Sequence, residues 1–119
     1  MTEQQMKLRT KQLALDTIRF VADLPKNDIT FVLGKQLLRS GSSVGANYRS
    51  ACRARSQADM LAKMGLVEEE ADESQYWIEL INESGYGESD VAQRLWKEFD
   101  EILAMTVSSI RTLRNRPRK

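Results

Sequence analysis

Apolar residues recur at alternating steps of four and three along most of this chain, the mark of amphipathic helices that bury one stripe. The pattern is cleanest at Met60, Met64, Val67, Ala71, Ser74, Ile78 and Ile81, an a/d seam that Leu66, Trp77 and Leu80 widen. It returns at Ala92, Leu95, Phe99, Ile102, Thr106 and Leu113, flanked by Trp96, Leu103 and Ile110, and again at Leu33, Leu37, Gly41, Val44, Tyr48 and Ala51. Breakers separate these runs. Pro25 disfavours helix at Leu24, Gly85 and Gly87 punctuate a loop, and Pro117 stops the last run. The spacing predicts helices over about 4–23, 30–55, 57–84 and 90–114, with a basic tail over 115–119. Asp28 or Thr30 is expected to cap the second helix and Ser89 or Asp90 the fourth. Ser56, with Asp59 three residues on, is expected to cap the third. Four long helices on short links read as an all-α, antiparallel up-down-up-down four-helix bundle in one domain, residues 1–119.

The first helix carries two stripes. At 100° per residue, Met6, Leu13, Phe20 and Leu24 lie within about 20° of one line, and Leu8, Leu15, Ile18 and Ala22 lie on the opposite side. A monomer needs one stripe, so the second implies another subunit. Met6, Leu13, Phe20 and Leu24 are assigned to that contact and a homo-oligomer is expected; the bland alternative leaves Leu13 and Phe20 merely exposed. In the second helix, Gly41-Ser42-Ser43-Val44-Gly45 places two glycines four apart. Each costs roughly 1 kcal/mol relative to alanine in a helix interior, so a neighbouring backbone is expected to come very close. A phosphate-cradling P-loop would need a lysine and a preceding strand, and this stretch has neither.

The chain has 119 residues, 41% of them hydrophobic and 29% charged, with two prolines and no histidine. Lacking histidine, it lacks the commonest general base and metal ligand, and no metal or cofactor is expected. Cys52, the single cysteine, has no partner for a disulfide or zinc site and reads as a small helix residue. No apolar run approaches the ~20 residues of a membrane span and the first residues are polar, so a cytoplasmic protein without membrane contact is expected. The net charge of +1 hides a strong asymmetry. Residues 57–84 hold eight acids and one base, Lys63, whereas residues 28–56 hold five bases and one acid.

Three constellations could carry function. Arg39, Ser43 and Asn47 step along the second helix as a polar line, with Glu69, Glu70, Asp72 and Glu73 of the third as candidate partners. A structural network that fixes helix register is one reading; catalysis or cation binding by paired carboxylates is the rival. Arg49, Arg53, Arg55 and Lys63 surround the turn between helices two and three, and Arg111, Arg114, Arg116, Arg118 and Lys119 end the chain. An antiparallel bundle brings both groups to one pole, where arginines suit a phosphate backbone; a merely solvated pole is the alternative. No aromatic-interleaved motif supports base-specific readout. Trp77 and Trp96 are read as core or interface fillers.

The run Gln36-Leu37-Leu38-Arg39-Ser40-Gly41-Ser42-Ser43-Val44-Gly45-Ala46-Asn47-Tyr48-Arg49, followed by Ala51-Cys52-Arg53-Ala54-Arg55-Ser56, resembles the four-helix-bundle proteins encoded in intervening sequences of bacterial 23S ribosomal RNA genes. Glu69-Glu70-Ala71-Asp72-Glu73-Ser74 with Trp77, Glu79 and Leu80 is similar to that family's third helix. The resemblance implies a left-handed bundle assembled as a ring, typically a pentamer. It also implies kinship with accessory proteins of diversity-generating retroelements, which bind nucleic acid and a reverse transcriptase. Ser50 stands where members often carry glutamate, one fewer negative charge beside Arg49 and Arg53. The expectation is a non-enzymatic, ring-forming protein that binds structured RNA or DNA through its basic pole. The rival is an interaction scaffold with no nucleic-acid role. An enzyme using Glu69, Asp72 or Glu73 would need a water-accessible pocket between helices.

Overall fold

A computed structural model describes residues 1–117. Four helices follow one another: α1 (Glu3–Ala22), α2 (Asp28–Cys52), α3 (Gln57–Glu83) and α4 (Ser89–Arg114). Each sequence neighbour packs on the next, and α4 returns to touch α1, which closes an antiparallel four-helix bundle 53 Å long and 21 Å across. The expected all-α fold is therefore observed, with the start of α3 and the end of α4 where predicted and the other helix ends displaced by one to three residues.

The displaced ends follow from caps. Thr2 accepts the Gln5 N–H while the Gln5 side chain takes the Thr2 N–H, a reciprocal box that starts α1. Asn27, rather than Asp28 or Thr30, caps α2: its side-chain oxygen accepts the N–H groups of Ile29 and Thr30, each at 2.9 Å. Ser56 caps α3 as expected, accepting from Asp59 at 3.0 Å. Glu88 stands at the α4 N-cap, in place of Ser89 or Asp90, and makes no side-chain capping bond. The second helix stops at Cys52 instead of Arg55 because Arg53–Ser56 form the link to α3.

The core runs the length of the rod through Leu13, Phe20, Leu37, Val44, Val67, Ile78, Phe99 and Ile102, and a smaller cluster of Ala51, Met64, Ile110 and Leu113 closes one end. Burial of such side chains stabilises by about 1.5–3 kcal/mol each. On α4, Ile110 joins the seam instead of flanking it. The assignment of Met6, Leu13, Phe20 and Leu24 to a subunit contact is corrected: all four lie inside this chain's own core, Phe20 only 4% exposed. The outward stripe of α1 is the other one, Leu8, Leu15 and Ile18, with Ile18 48% exposed.

The reason lies in two threonines. Thr10 and Thr17 are buried and donate to the α1 backbone, Thr10 to Met6 O at 2.9 Å and Thr17 to Leu13 O at 2.8 Å. Their hydroxyls are satisfied within the helix, so they fill the core as apolar residues do. Met6, Thr10, Leu13, Thr17, Phe20 and Leu24 thus form one stripe. These threonines are also what the α2 glycines meet. A Cβ on Gly41 would lie 3.1 Å from Thr17 Cγ2, and one on Gly45 would lie 3.2 Å from Thr10 Oγ1 and 3.5 Å from the Thr10 carbonyl carbon. The close seam expected from the sequence is the α1–α2 contact. At the pole where α1 meets the α3–α4 loop, Gly87 has φ +78° and packs against Phe20 and Leu24, a conformation and a space that exclude other side chains.

Candidate nucleic-acid interface

The opposite pole gathers the α2–α3 link, the end of α4 and the start of α1. Gln57 at the head of α3 donates to the Leu113 carbonyl near the end of α4 at 2.6 Å, tying the two helices there. Around this tie, Arg49, Arg53, Arg55, Arg111, Arg114 and Arg116 are all exposed. Arg55 and Arg116 border one hollow of about 270 Å³ whose wall includes Cys52, Met60 and Leu113. None of the six arginines has an ion-pair partner among the described residues, whereas both acids of this pole do. Glu3 is bridged by Lys7 at 3.2 Å and Asp59 by Lys63 at 3.1 Å. Lys63, placed with the arginines from the sequence, is thus held by its own helix. Arg118 and Lys119 lie outside the described residues.

Cys52 sits against Tyr48 at the edge of this pole. Burial pushes the Cys52 thiol up from its ordinary value, and Glu3 adds to the effect; burial likewise pushes the Tyr48 phenol up. The thiol is therefore protonated at neutral pH and a poor nucleophile.

The expected polar network divides. Arg39 bridges from α2 to α3, pairing with Glu70 at 3.2 Å and with Glu73. Glu73 also accepts from Trp77 Nε1 at 3.1 Å, so its carboxylate is already engaged from two sides. Ser43 and Asn47 instead bond the α2 backbone, at the carbonyls of Arg39 and Ser43 respectively. Glu69 and Asp72 point outward and make no contact with Arg39; with Tyr76 and Glu79 they border an open acidic surface. Among the described residues no set of three carboxylate or thiol groups is arranged to hold a metal ion.

Besides the Gln57 tie, interactions between helices that the sequence did not predict include one in the α2–α3 seam and one across α1 and α4. Ser74 donates to Ser40 at 2.8 Å in the dry α2–α3 seam, a pairing visible in sequence only as two small polar residues on facing apolar stripes. Arg9 makes a bidentate pair with Glu98, at 2.6 and 2.7 Å, and reaches Glu101 at 3.5 Å. The hydrogen bond to Glu98 raises the Arg9 pKa further. This clasp spans the looser α1–α4 seam. Beyond it, toward Gly87, a groove of about 740 Å³ opens over Leu13, Phe20 and Leu95, rimmed by Asp16, Arg19 and Arg94.

No helix is long and apolar enough to cross a membrane among the described residues. No curated protein matches the chain. A crystal structure of a protein with unknown function from the S23 ribosomal protein family of Bacteroides thetaiotaomicron is similar, with a TM-score of 0.82 and 31% identity over 93% of this chain and 99% of that one. The profile of the 23S rRNA-intervening sequence proteins matches residues 2–108, which takes in α1, α2, α3 and most of α4 but stops short of Arg111, Arg114 and Arg116. The Gly41–Gly45 seam, the Arg39 bridge and Arg49, Arg53 and Arg55 all fall within that span, and the chain belongs to the family of 23S rRNA-intervening sequence proteins.

Proposed function

We propose that this chain works as a non-enzymatic homo-oligomer that binds the phosphate backbone of structured RNA or DNA through its arginine-bearing pole. The observation that carries the reading is the imbalance of charge there. Each acid of the pole is matched by a lysine, which leaves six exposed arginines without ion-pair partners among the described residues. Guanidinium groups bind phosphate in bidentate fashion, and each phosphate neutralised releases condensed counterions. A ring of copies would repeat the pole around one rim and multiply the effect. No carboxylate or thiol of the chain is given a catalytic role. Fluorescence anisotropy with an RNA hairpin and a DNA duplex, titrated with salt, tests this. Six contacts predict an affinity loss of about 10³ between 50 and 200 mM salt. Replacing Arg49, Arg53 and Arg55 together by glutamine is expected to reduce the slope. A salt-independent response, or no binding at low ionic strength, overturns the proposal.

A second reading, an interaction scaffold without a nucleic-acid role, draws on the exposed apolar residues Leu8, Leu15, Ile18, Phe31 and Val32. It predicts partner capture that survives the arginine replacements and is lost when Leu15 or Ile18 becomes charged.

A further inference from the structure

The exposed large apolar side chains are unevenly placed. Met1 aside, they lie on α1 (Leu8, Leu15, Ile18), on α2 (Ile29, Phe31, Val32) and on α3 (Leu66, Tyr76), and α4 offers none among the described residues. Between α1 and α2, Val21, Leu24, Phe31 and Leu38 wall a notch of about 550 Å³. Lys26 and Lys35 frame it, with Lys35 Nζ 6.0 Å from the centre of the Phe31 ring, and Asp28 is the one acid of its lining. Phe31 is 68% exposed there. Across α2 from the notch, Tyr76 projects from α3, 54% exposed, among Glu69, Asp72, Glu79 and Glu73, the last paired with Arg39 of α2. Its ring is held edge-on against Trp77, centroids 5.3 Å apart, and the Trp77 indole is itself tied to Glu73. An aromatic fixed in this way loses little freedom on docking.

We propose that the α1–α2 notch is the seat for Tyr76 of a second copy of this chain, presented on the acidic outer face of that copy's α3. The inference rests on the homo-oligomeric reading above and names its contact. Two features select a second copy as occupant. The charges are complementary: lysines frame the apolar notch and carboxylates surround the aromatic knob. The heights agree as well. The α2 wall of the notch runs from Asp28 at the helix start to Leu38 ten residues on, Tyr76 lies seven residues from the end of α3, and both helix ends lie at the same pole. At 1.5 Å per residue Tyr76 sits about 10 Å from that pole, within the roughly 15 Å that the notch spans, so two copies with parallel axes meet with little sliding. Notch and knob are different surfaces, so the contact is heterologous and passes from copy to copy.

Light scattering on the full chain and on two variants, Phe31→Glu and Tyr76→Arg, tests this. Both residues are exposed, and circular dichroism checks that each variant folds. The unaltered chain is expected to run as a multimer and each variant at the 13.6 kDa of one copy. A second measurement covers a weak contact: in a Cys52→Ser background, Phe31→Cys and Tyr76→Cys chains are mixed and oxidised. A covalent dimer formed in the mixture, and by neither chain alone, supports the proposal. If the variants assemble as the unaltered chain does, or if Phe31→Cys chains couple to themselves, this docking is overturned while oligomerisation stands. If the unaltered chain is a monomer, both fall.

Discussion

Replacing Gly41 by alanine sets two effects of similar size against each other. In a helix interior the change gains about 1 kcal/mol from backbone propensity. The new methyl carbon, however, would lie 3.1 Å from Thr17 Cγ2 and 3.3 Å from Phe99 Cζ, both closer than ordinary contact. Neither wall yields easily. Phe99 is fully buried, and Thr17 is pinned by its 2.8 Å hydrogen bond to Leu13 O. Overpacking a core of this kind costs about 1–3 kcal/mol, and two unyielding walls put Gly41 in the upper part of that range. The net expectation is a loss of about 1 kcal/mol. Gly65 supplies the control: it lies inside α3 and a Cβ there meets nothing within 4 Å. Gly65→Ala is expected to stabilise by about 1 kcal/mol, which separates the two variants by roughly 2 kcal/mol. Urea titrations followed by circular dichroism at equal protein concentration would measure this, provided the slopes agree. A Gly41→Ala midpoint at or above that of the unaltered chain would refute the tight-seam argument.

Arg9→Ala removes the clasp between α1 and α4. Exposed pairs contribute about 0.2–1 kcal/mol; the bidentate geometry and partial burial of Arg9 and Glu98 put this one near 1 kcal/mol. The loss should shrink in high salt, and a loss indifferent to salt would assign it to packing instead. Cys52 and Tyr48 hold their protons more tightly in the folded chain than in the unfolded one. The unfolded chain therefore binds fewer protons at alkaline pH, and stability falls as pH rises past the ordinary thiol and phenol values of about 8.5 and 10. Urea midpoints taken across that window should decline, and the double variant Cys52→Ala, Tyr48→Phe should flatten the decline; an equal decline in the variant would contradict it.

How far the chain could be read depended on where polar groups found their partners. The α3 seam was legible because Met64, Val67, Ala71, Ile78 and Ile81 are apolar by type and buried in fact. The glycines of α2 were legible because no isolated helix has a reason to carry them, although which helix they met was not. The two stripes of α1 were read in the wrong order. Thr10 and Thr17 count as polar in any pattern, yet each returns its hydroxyl to a carbonyl one turn back and behaves as core. Counting them as apolar would have restored steps of four and three through Met6, Leu13 and Phe20. The basic pole was legible from connectivity alone, since antiparallel helices fix which ends meet. What could not be read was which charges are already spoken for, because the Lys7–Glu3 and Lys63–Asp59 pairings depend on side-chain geometry.

The α1–α4 seam joins the two segments most distant along the chain, and Arg9 and Glu98 are 89 residues apart. Drawing such a long segment closed costs more entropy than folding any of the three turn-linked helix pairs, so this seam is expected to form last. A chain emerging from the ribosome would have α1 in hand long before α4. The small-residue fit of Gly34, Gly41 and Gly45 against α1 gives that early helix a neighbour to lean on in the meantime.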